Sequence, residues 1–307
     1  MTAALEATTL TRSELIWPGM CGHNSLFAGQ IGDWTWDAVG RLCGTDVLRA
    51  HNAAGRPTYL SFYYYRIRGS RRFHLRSPTF GDRLRITTGL FDFGSESVLA
   101  LHRITPERGA DVPLDLDEFY AGDGDGLYVE NFNRWVTRGT AGSNEGLVRS
   151  SPVDFRHRHL PSLPERYNPR VACHRARTAL SFVDEDRGHV PDGAELHVDY
   201  ELDAARDLNG VGLLYFASYF SIVDWALLRL WRGLGRSERS FLDRIVVDQQ
   251  LCYLGNADAG CVVTASVRRW RAAGDESREL FNVVLRDRGT GRVLAVCTLT
   301  VLIGDAT

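Results

Sequence analysis

Two stretches join a polar, glycine-containing lead-in to a long apolar run, and chemistry would sit at those junctions. The first is WPGMCGHNSLFAGQIGDWTWDAVGRLCG (17–44) and the second DLNGVGLLYFASYFSIVDW (207–225). If each run is a helix, its first N–H groups lack intrahelical partners and carry the positive end of the helix dipole, which suits a carbonyl oxygen gaining negative charge. At the second junction Asn209 can hydrogen-bond a carboxylate or an enolate oxygen, or serve as an Asx-turn residue. Gly210 and Gly212 are the turn glycines beside it, while Ser218 and Ser221 either face the same site or only allow close packing. At the first junction His23 is a candidate acid or base near neutral pH, and Asn24 and Ser25 are candidate ligand contacts or helix caps. Asp33 and Asp224 each precede a Trp. They are a candidate acid–base pair, or structural residues at matching places on two amphipathic helices.

The segment PTYLSFYYYRIR (57–68) has the most unusual composition in the chain. Read as a strand with a period of two, it places Tyr59, Ser61, Tyr63 and Tyr65 on one face and Leu60, Phe62 and Tyr64 on the other. Tyrosine joins an apolar body to a polar tip, so such a row can pack on a helix and still offer hydroxyls to a ligand. Thr58, Tyr59, Tyr63 and Tyr65 are therefore candidates for contact with a substrate. Arg66, Arg68, Arg71 and Arg72 follow, and suit phosphates or an acidic partner; a solvated arginine face is the plainer alternative.

Positioning these residues requires buried helices and something to cover them. Leu213, Leu214, Phe216, Tyr219, Phe220, Val223 and Leu227 recur at helical spacing and leave the second helix apolar nearly all round, so a sheet must wrap it. Placing Ile31-Gly32-Asp33-Trp34 over Ile222-Val223-Asp224-Trp225 aligns the first helix with it. After the first helix, PTYLSFYYYRIRG, DRLRITTGLFDFG and ESVLALHRIT read as strands, and GLYVENFNRWVTRG could close their sheet. After the second, FLDRIVVDQQLCYLG, CVVTASVRRWR, ELFNVVLRDRG and RVLAVCTLTVLIG read alike, with a turn at Gly274-Asp275 among others. VACHRARTALSFVD and AELHVDYELD are two further expected strands. Residues 1–16 are expected to be a frayed arm or an edge strand, and the four prolines of RSSPVDFRHRHLPSLPERYNPR suggest a linker. The expected organisation is two helix-plus-antiparallel-sheet halves, 1–155 and 171–307, joined by a linker at 156–170.

Composition narrows the function classes. The 307 residues are 44% hydrophobic and 24% charged, which suits a globular chain with a substantial core. A net charge of -2 gives no global basic field for nucleic acid. Every basic side chain other than His is Arg. The six cysteines are scattered without a Cys-x-x-Cys or a His at metal-ligand spacing, so no metal site and no disulfide framework is expected. No signal-like start and no apolar run of about 18 residues is present, so a cytoplasmic protein without a membrane span is expected.

Asp-x-Asn-x-x-Gly ahead of an aromatic-rich helix resembles the Asp-x-Asp-x-x-Gly lead-in to the central helix of hot-dog acyl-CoA thioesterases. In that family the second acid is nucleophile or base; Asn209 stands there and can be neither. The whole chain, especially GMCGHNSLFAGQIGDWTW, PTYLSFYYYRIRG, FGSESVLALHRI, YVENFNRW and DLNGVGLLYFASYFSIVDW, resembles the bifunctional acyltransferase/decarboxylase family of leinamycin-type polyketide biosynthesis. The resemblance implies an α+β double hot-dog, two long central helices each wrapped by an antiparallel sheet. It implies a site where the helix start of one half faces the sheet of the other. It also implies methylmalonyl-CoA as substrate, propionyl-acyl carrier protein as product, a possible homodimer, no cofactor beyond the CoA of the substrate, and a catalytic strand tyrosine. Tyr59 is the best positional match, with Tyr63 and Tyr65 behind it. A thioesterase, a dehydratase or a non-catalytic acyl-thioester-binding module would use the same scaffold.

Overall fold

The computed structural model describes residues 8–108, 112–122, 124–139, 142–184, 188–272 and 275–302. Residues 1–7 and Gly274, which carried sequence expectations, lie outside the described residues. The chain forms two compact units, Met1–Pro169 and Arg170–Thr307. The proline-rich stretch up to 169 clusters with the first unit, where Asp92 N donates to Pro161 O at 3.0 Å and Arg156 N to Cys43 O at 3.2 Å.

In the first unit the order is β1 (Thr9–Leu15), α1 (Asn24–Cys43), β2 (Tyr59–Arg68), β3 (Arg83–Asp92), β4 (Ser97–Pro106), α2 (Leu116–Ala121), β5 (Leu127–Arg138) and β6 (Leu147–Arg149). The sheet is antiparallel in the order β1-β3-β4-β5-β2, and β6 extends it along the end of β5. Thus β1 is an edge strand and β5 lies inside the sheet, between β4 and β2. Helix α1 ends on Gly44, whose φ of 63° is the left-handed cap that a residue with a side chain adopts at a cost. Its Ala38, Val39 and Cys43 pack on Leu60, Leu90, Val98 and Trp135, all buried. Each such large apolar side chain contributes about 1.5–3 kcal/mol on leaving water.

The tyrosine strand departs from simple alternation. The β2–β5 register shifts between Phe62 and Tyr64, so Tyr63 is a bulge residue. An extra residue reverses the facing of everything after it. Leu60, Phe62 and Tyr65 therefore share the α1 face, opposite Trp135, Asn133 and Asn131, while Tyr59, Ser61 and Tyr64 lie on the other. The sequence expectation of one face for Tyr59, Tyr63 and Tyr65 is corrected by this one residue.

The same α1 face holds a buried polar chain. Thr35 Oγ1 donates to Ile31 O at 3.0 Å and accepts from Asn131 Nδ2 at 2.9 Å. Its remaining lone pair takes the Nε2–H of His102 at 2.9 Å, which leaves Nδ1 to accept from Thr88 Oγ1 at 2.8 Å. Of the two neutral tautomers, only the Nε2–H form makes every bond, since Thr35 already donates its proton to Ile31 O. Burial, with Arg12 adding to it, pushes the His102 pKa down to about 3.

In the second unit α3 (Pro169–Ala179) opens at the boundary, followed by β7 (His189–Pro191), β8 (Leu196–Glu201), α4 (Phe216–Gly233), α5 (Glu238–Asp243), β9 (Ile245–Tyr253), β10 (Val262–Ala272), β11 (Asp275–Asp287) and β12 (Val293–Leu302). The order is β9-β12-β11-β10, with β7 and β8 both pairing with β10. VACHRARTAL was expected as a strand and is the helix α3. Pro169, itself buried, stands at its first position, and Cys173 and Ala176, three apart, are the buried residues further along it. After Leu180, at φ 51°, the chain is clasped to the sheet. Phe182 N donates to Thr298 Oγ1 (3.2 Å), that hydroxyl to Asn282 Oδ1 (2.8 Å), and Asn282 Nδ2 back to Leu180 O (3.0 Å). Val183 then closes over Trp270 and Leu280. On the opposite face of the sheet α4 packs Trp231 against Phe281, centroids 6.0 Å apart.

The unfolded chain binds a proton at His102 below its ordinary value near 6.5, and the folded chain does not until about pH 3. Stability is therefore full above pH 6.5 and falls on acidification across that window, by about 1.4 kcal/mol per pH unit from this residue. NMR should show the His102 ring as the neutral Nε2–H tautomer at pH 5, where exposed histidines are already protonated. Titration of His102 near pH 6.5 would contradict the network.

Candidate functional site

The start of α1 is built by a short turn at Pro18–Met20 and by Gly22, whose φ of 128° is open to glycine. His23 occupies the cap position, but the helix has no side-chain cap and no acidic residue in its first turn. Asn24 and Ser25, expected as possible caps, are instead the first two helical residues, both buried. His23 Nδ1 lies 2.5 Å from Ser25 Oγ. Tyr65, turned to the α1 face by the bulge, donates its hydroxyl to Ala28 O at 3.4 Å. This assembly brings His23, Asn24, Ser25 and Tyr65 to one end of α1.

Thr58 and Tyr59 are at the other end. Leu60 packs with Ala38, Val39 and Cys43, and Val39 is sixteen residues beyond His23, about 24 Å along a helix. The Thr58 hydroxyl is buried and has no hydrogen-bond partner among the described residues. Tyr59 is half-buried on the face away from α1, opposite Val136, with the Arg138 guanidinium 6.0 Å from its ring centre. Tyr63 shares its surroundings with Arg134, 3.4 Å over its ring, and Phe132. Within the first unit the candidates thus divide into two groups rather than one constellation.

In the second unit α4 begins at Phe216, with Tyr215 as cap and no acidic residue in the first turn. Asn209, Gly210 and Gly212, expected as turn and helix-entry residues, lie in a turn ahead of it. Asn209 Oδ1 accepts from Val211 N (3.1 Å) and Leu213 N (3.0 Å), an Asx turn that occupies the amide oxygen. Gly212 has φ 75°, while Gly210 is exposed. Asn256 pairs with both backbone groups of Leu214 through its side chain, at 3.0 and 3.1 Å. Ser218 Oγ donates to Asp207 O at 3.1 Å, so it braces the turn, and Ser221 lies half-buried on the helix. Asp207, which leads the Asp-x-Asn-x-x-Gly motif, was given no site role from the sequence. Buried, its carboxylate accepts from Asp203 N at 2.9 Å and Tyr200 Oη at 3.0 Å. Burial, then Asp207, pushes the Tyr200 hydroxyl up to about 12. First position in a motif led by an acid was the available signal.

The remaining candidates divide similarly. Asp224, half-buried, is held by the buried Arg244 through Nη2 at 2.6 Å, while Asp33 is exposed, so the two aspartates have different surroundings. Arg68 donates to Tyr120 O and Phe119 O, both 2.5 Å, and Arg72 meets Asp125 at 3.3 Å. Among the described residues no three His, Cys, Asp or Glu side chains gather as a metal-ligand set, and no helix is long and apolar enough to cross a membrane.

A long helix wrapped by an antiparallel sheet, twice in one chain, defines an α+β protein of the double hot-dog class. The LnmK N-terminal Hot Dog Fold domain matches residues 11–184, and the chain belongs to that family. Solved structures share the fold at low identity. A putative oleoyl thioesterase from Lactobacillus plantarum is 11% identical, with a TM-score of 0.61 over 98% of both chains. An acyl-ACP thioesterase from Bacteroides thetaiotaomicron (12%, TM-score 0.53, 96% of this chain and 98% of that one) and the 12:0-ACP thioesterase from Umbellularia californica (11%, 0.53, 96% and 97%) are similar. No curated protein matches the sequence.

If Asn209 works through its turn, Asn209→Asp keeps the acceptor oxygen and should leave the thermal unfolding midpoint nearly unchanged. Asn209→Ala should cost about 1 kcal/mol, the usual loss of such a backbone-capping oxygen. Equal stability of the two variants would remove the turn role.

Proposed function

We propose that this chain is an acyl-CoA to acyl carrier protein acyltransferase with decarboxylase activity, converting methylmalonyl-CoA and holo acyl carrier protein to propionyl-carrier protein. Membership of the LnmK family over 11–184 supports this reading most directly. The absence of an acidic residue from the first turn of α4 agrees with it. A carboxylate at a helix start would activate water and repel the substrate carboxylate; donors without one favour an enolate.

In the proposed reaction the bond between the α-carbon and the carboxylate breaks and carbon dioxide leaves. Its electron pair passes into the thioester as an enolate, whose oxygen is stabilised by N–H and O–H donors. A proton then returns to the α-carbon. For transfer, the carrier thiol adds to the propionyl carbonyl, the carbon–sulfur bond to CoA breaks, and the thiol proton ends on CoA. Tyr59, the strand tyrosine to which the resemblance points, would serve as hydroxyl donor or as acylated nucleophile. Asn209, with its oxygen committed to the turn, has only its amide N–H₂ to offer.

Intact mass spectrometry of a holo carrier protein incubated with methylmalonyl-CoA tests the reading. The carrier should gain the mass of a propionyl group. Tyr59→Phe should slow its formation by about 100-fold or more, while Tyr65→Phe, at the far end of α1, should retain it. Release of free acid and CoA without carrier loading would replace this reading with thioester hydrolysis.

A further inference from the structure

Two segments of the first unit, 45–57 and 147–159, are tied into one platform. Val153 N donates to His51 O at 3.1 Å, Asp46 N to Asp154 Oδ2 at 3.0 Å, and Asn52 Nδ2 to Ser150 Oγ at 2.9 Å. The platform adjoins the start of β2, because Thr58 N bonds Ala50 O at 2.9 Å and His51 bridges Pro57. Tyr59 is the next residue.

Its surface composition is uneven. Arg49, Arg56, Arg149, Arg156 and Arg158 are all exposed, and none has an ion-pair partner among the described residues. The two acids of these segments are turned to backbone. Asp46 Oδ1 accepts from Leu48 N and Arg49 N, both 3.2 Å, and Asp154 Oδ2 accepts from Asp46 N. Leu48, Val153 and Val148 stand among the arginines at 80%, 58% and 45% exposure. In a chain of net charge -2, this is a local excess of unpaired cations around aliphatic side chains. Opposite charge steers a partner, and exposed apolar groups supply the contact it keeps. Nucleic acid would gain nothing from leucine and valine, and a small anion would not need them.

We propose that this platform is the docking surface for the acceptor: an acidic, helical carrier protein that presents its thiol on a phosphopantetheine arm beside the start of β2. The inference rests on the acyltransferase reading and adds where the carrier binds. Arg66, Arg68, Arg71 and Arg72 take no part, since they lie at or beyond the opposite end of β2.

Steady-state transfer by the full chain tests it, with holo carrier and with free pantetheine as alternative acceptors. Arg149→Glu with Arg156→Glu, and separately Leu48→Asp, should raise the KM for carrier at least 10-fold. The pantetheine rate and the KM for methylmalonyl-CoA should stay within 2-fold. The wild-type carrier KM should rise with salt. Arg83→Glu, exposed at the far end of the sheet, should change none of these values. An unchanged carrier KM in folded variants overturns the docking surface alone. A raised KM for methylmalonyl-CoA assigns the arginines to CoA phosphates, and tight binding of the wild type to single-stranded DNA of mixed sequence would assign them to nucleic acid; either overturns the proposal. If the wild type loads no carrier, the acyltransferase reading itself fails, and the docking inference with it.

Discussion

A helix with a broad apolar face cannot leave that face in water, and both units follow from that constraint. Antiparallel strands supply the cover because consecutive strands reach across a helix with short turns. Once α1 and α4 are buried, their N–H ends fall at defined places on the sheet and every polar residue near them must find a partner. The α4 end resolves this internally: Asn209, Asn256, Ser218 and Asp207 spend their oxygens on the loop itself. The α1 end begins with no side-chain cap.

What was legible in the sequence was what periodicity carries. The two helices and the strands after them follow from apolar spacing and turn residues, and β1 takes the edge-strand alternative. The strand order does not follow, since β2 pairs with β5 rather than β3 and β9 with β12 rather than β10. The Tyr63 bulge was not legible, since a period of two contains no sign of an inserted residue. That one residue moved Tyr65 to the helix face and separated it from Tyr59. Residues 171–184 read as a strand because Val171, Phe182 and Val183 flank the run. Pro169 and the spacing of Cys173 and Ala176 were the helical signals. His102 gave no signal either, because a polar chain of Thr35, Thr88, His102 and Asn131 is assembled from three strands and a helix.

The candidate site was legible in residue types more than in roles. Asn209 was weighed as ligand donor or turn residue, and its geometry is that of a turn. The arginines of 66–72 drew notice as a run in sequence, whereas the unpaired ones of 45–57 and 147–159 are a group only after folding brings two distant loops together.

The clasp of residues 180–183 on the second sheet carries a separate consequence. Similarity to the family extends to residue 184, while packing divides the chain at 169. A polypeptide cut at the border of sequence similarity would carry α3 and its clasp away from Asn282, Thr298 and Trp270. It would strip one unit of its cover and leave the other with a tail whose Phe182 and Val183 have lost their seat. Inherited segment and folding unit are thus offset here by fifteen residues, the difference between 184 and 169.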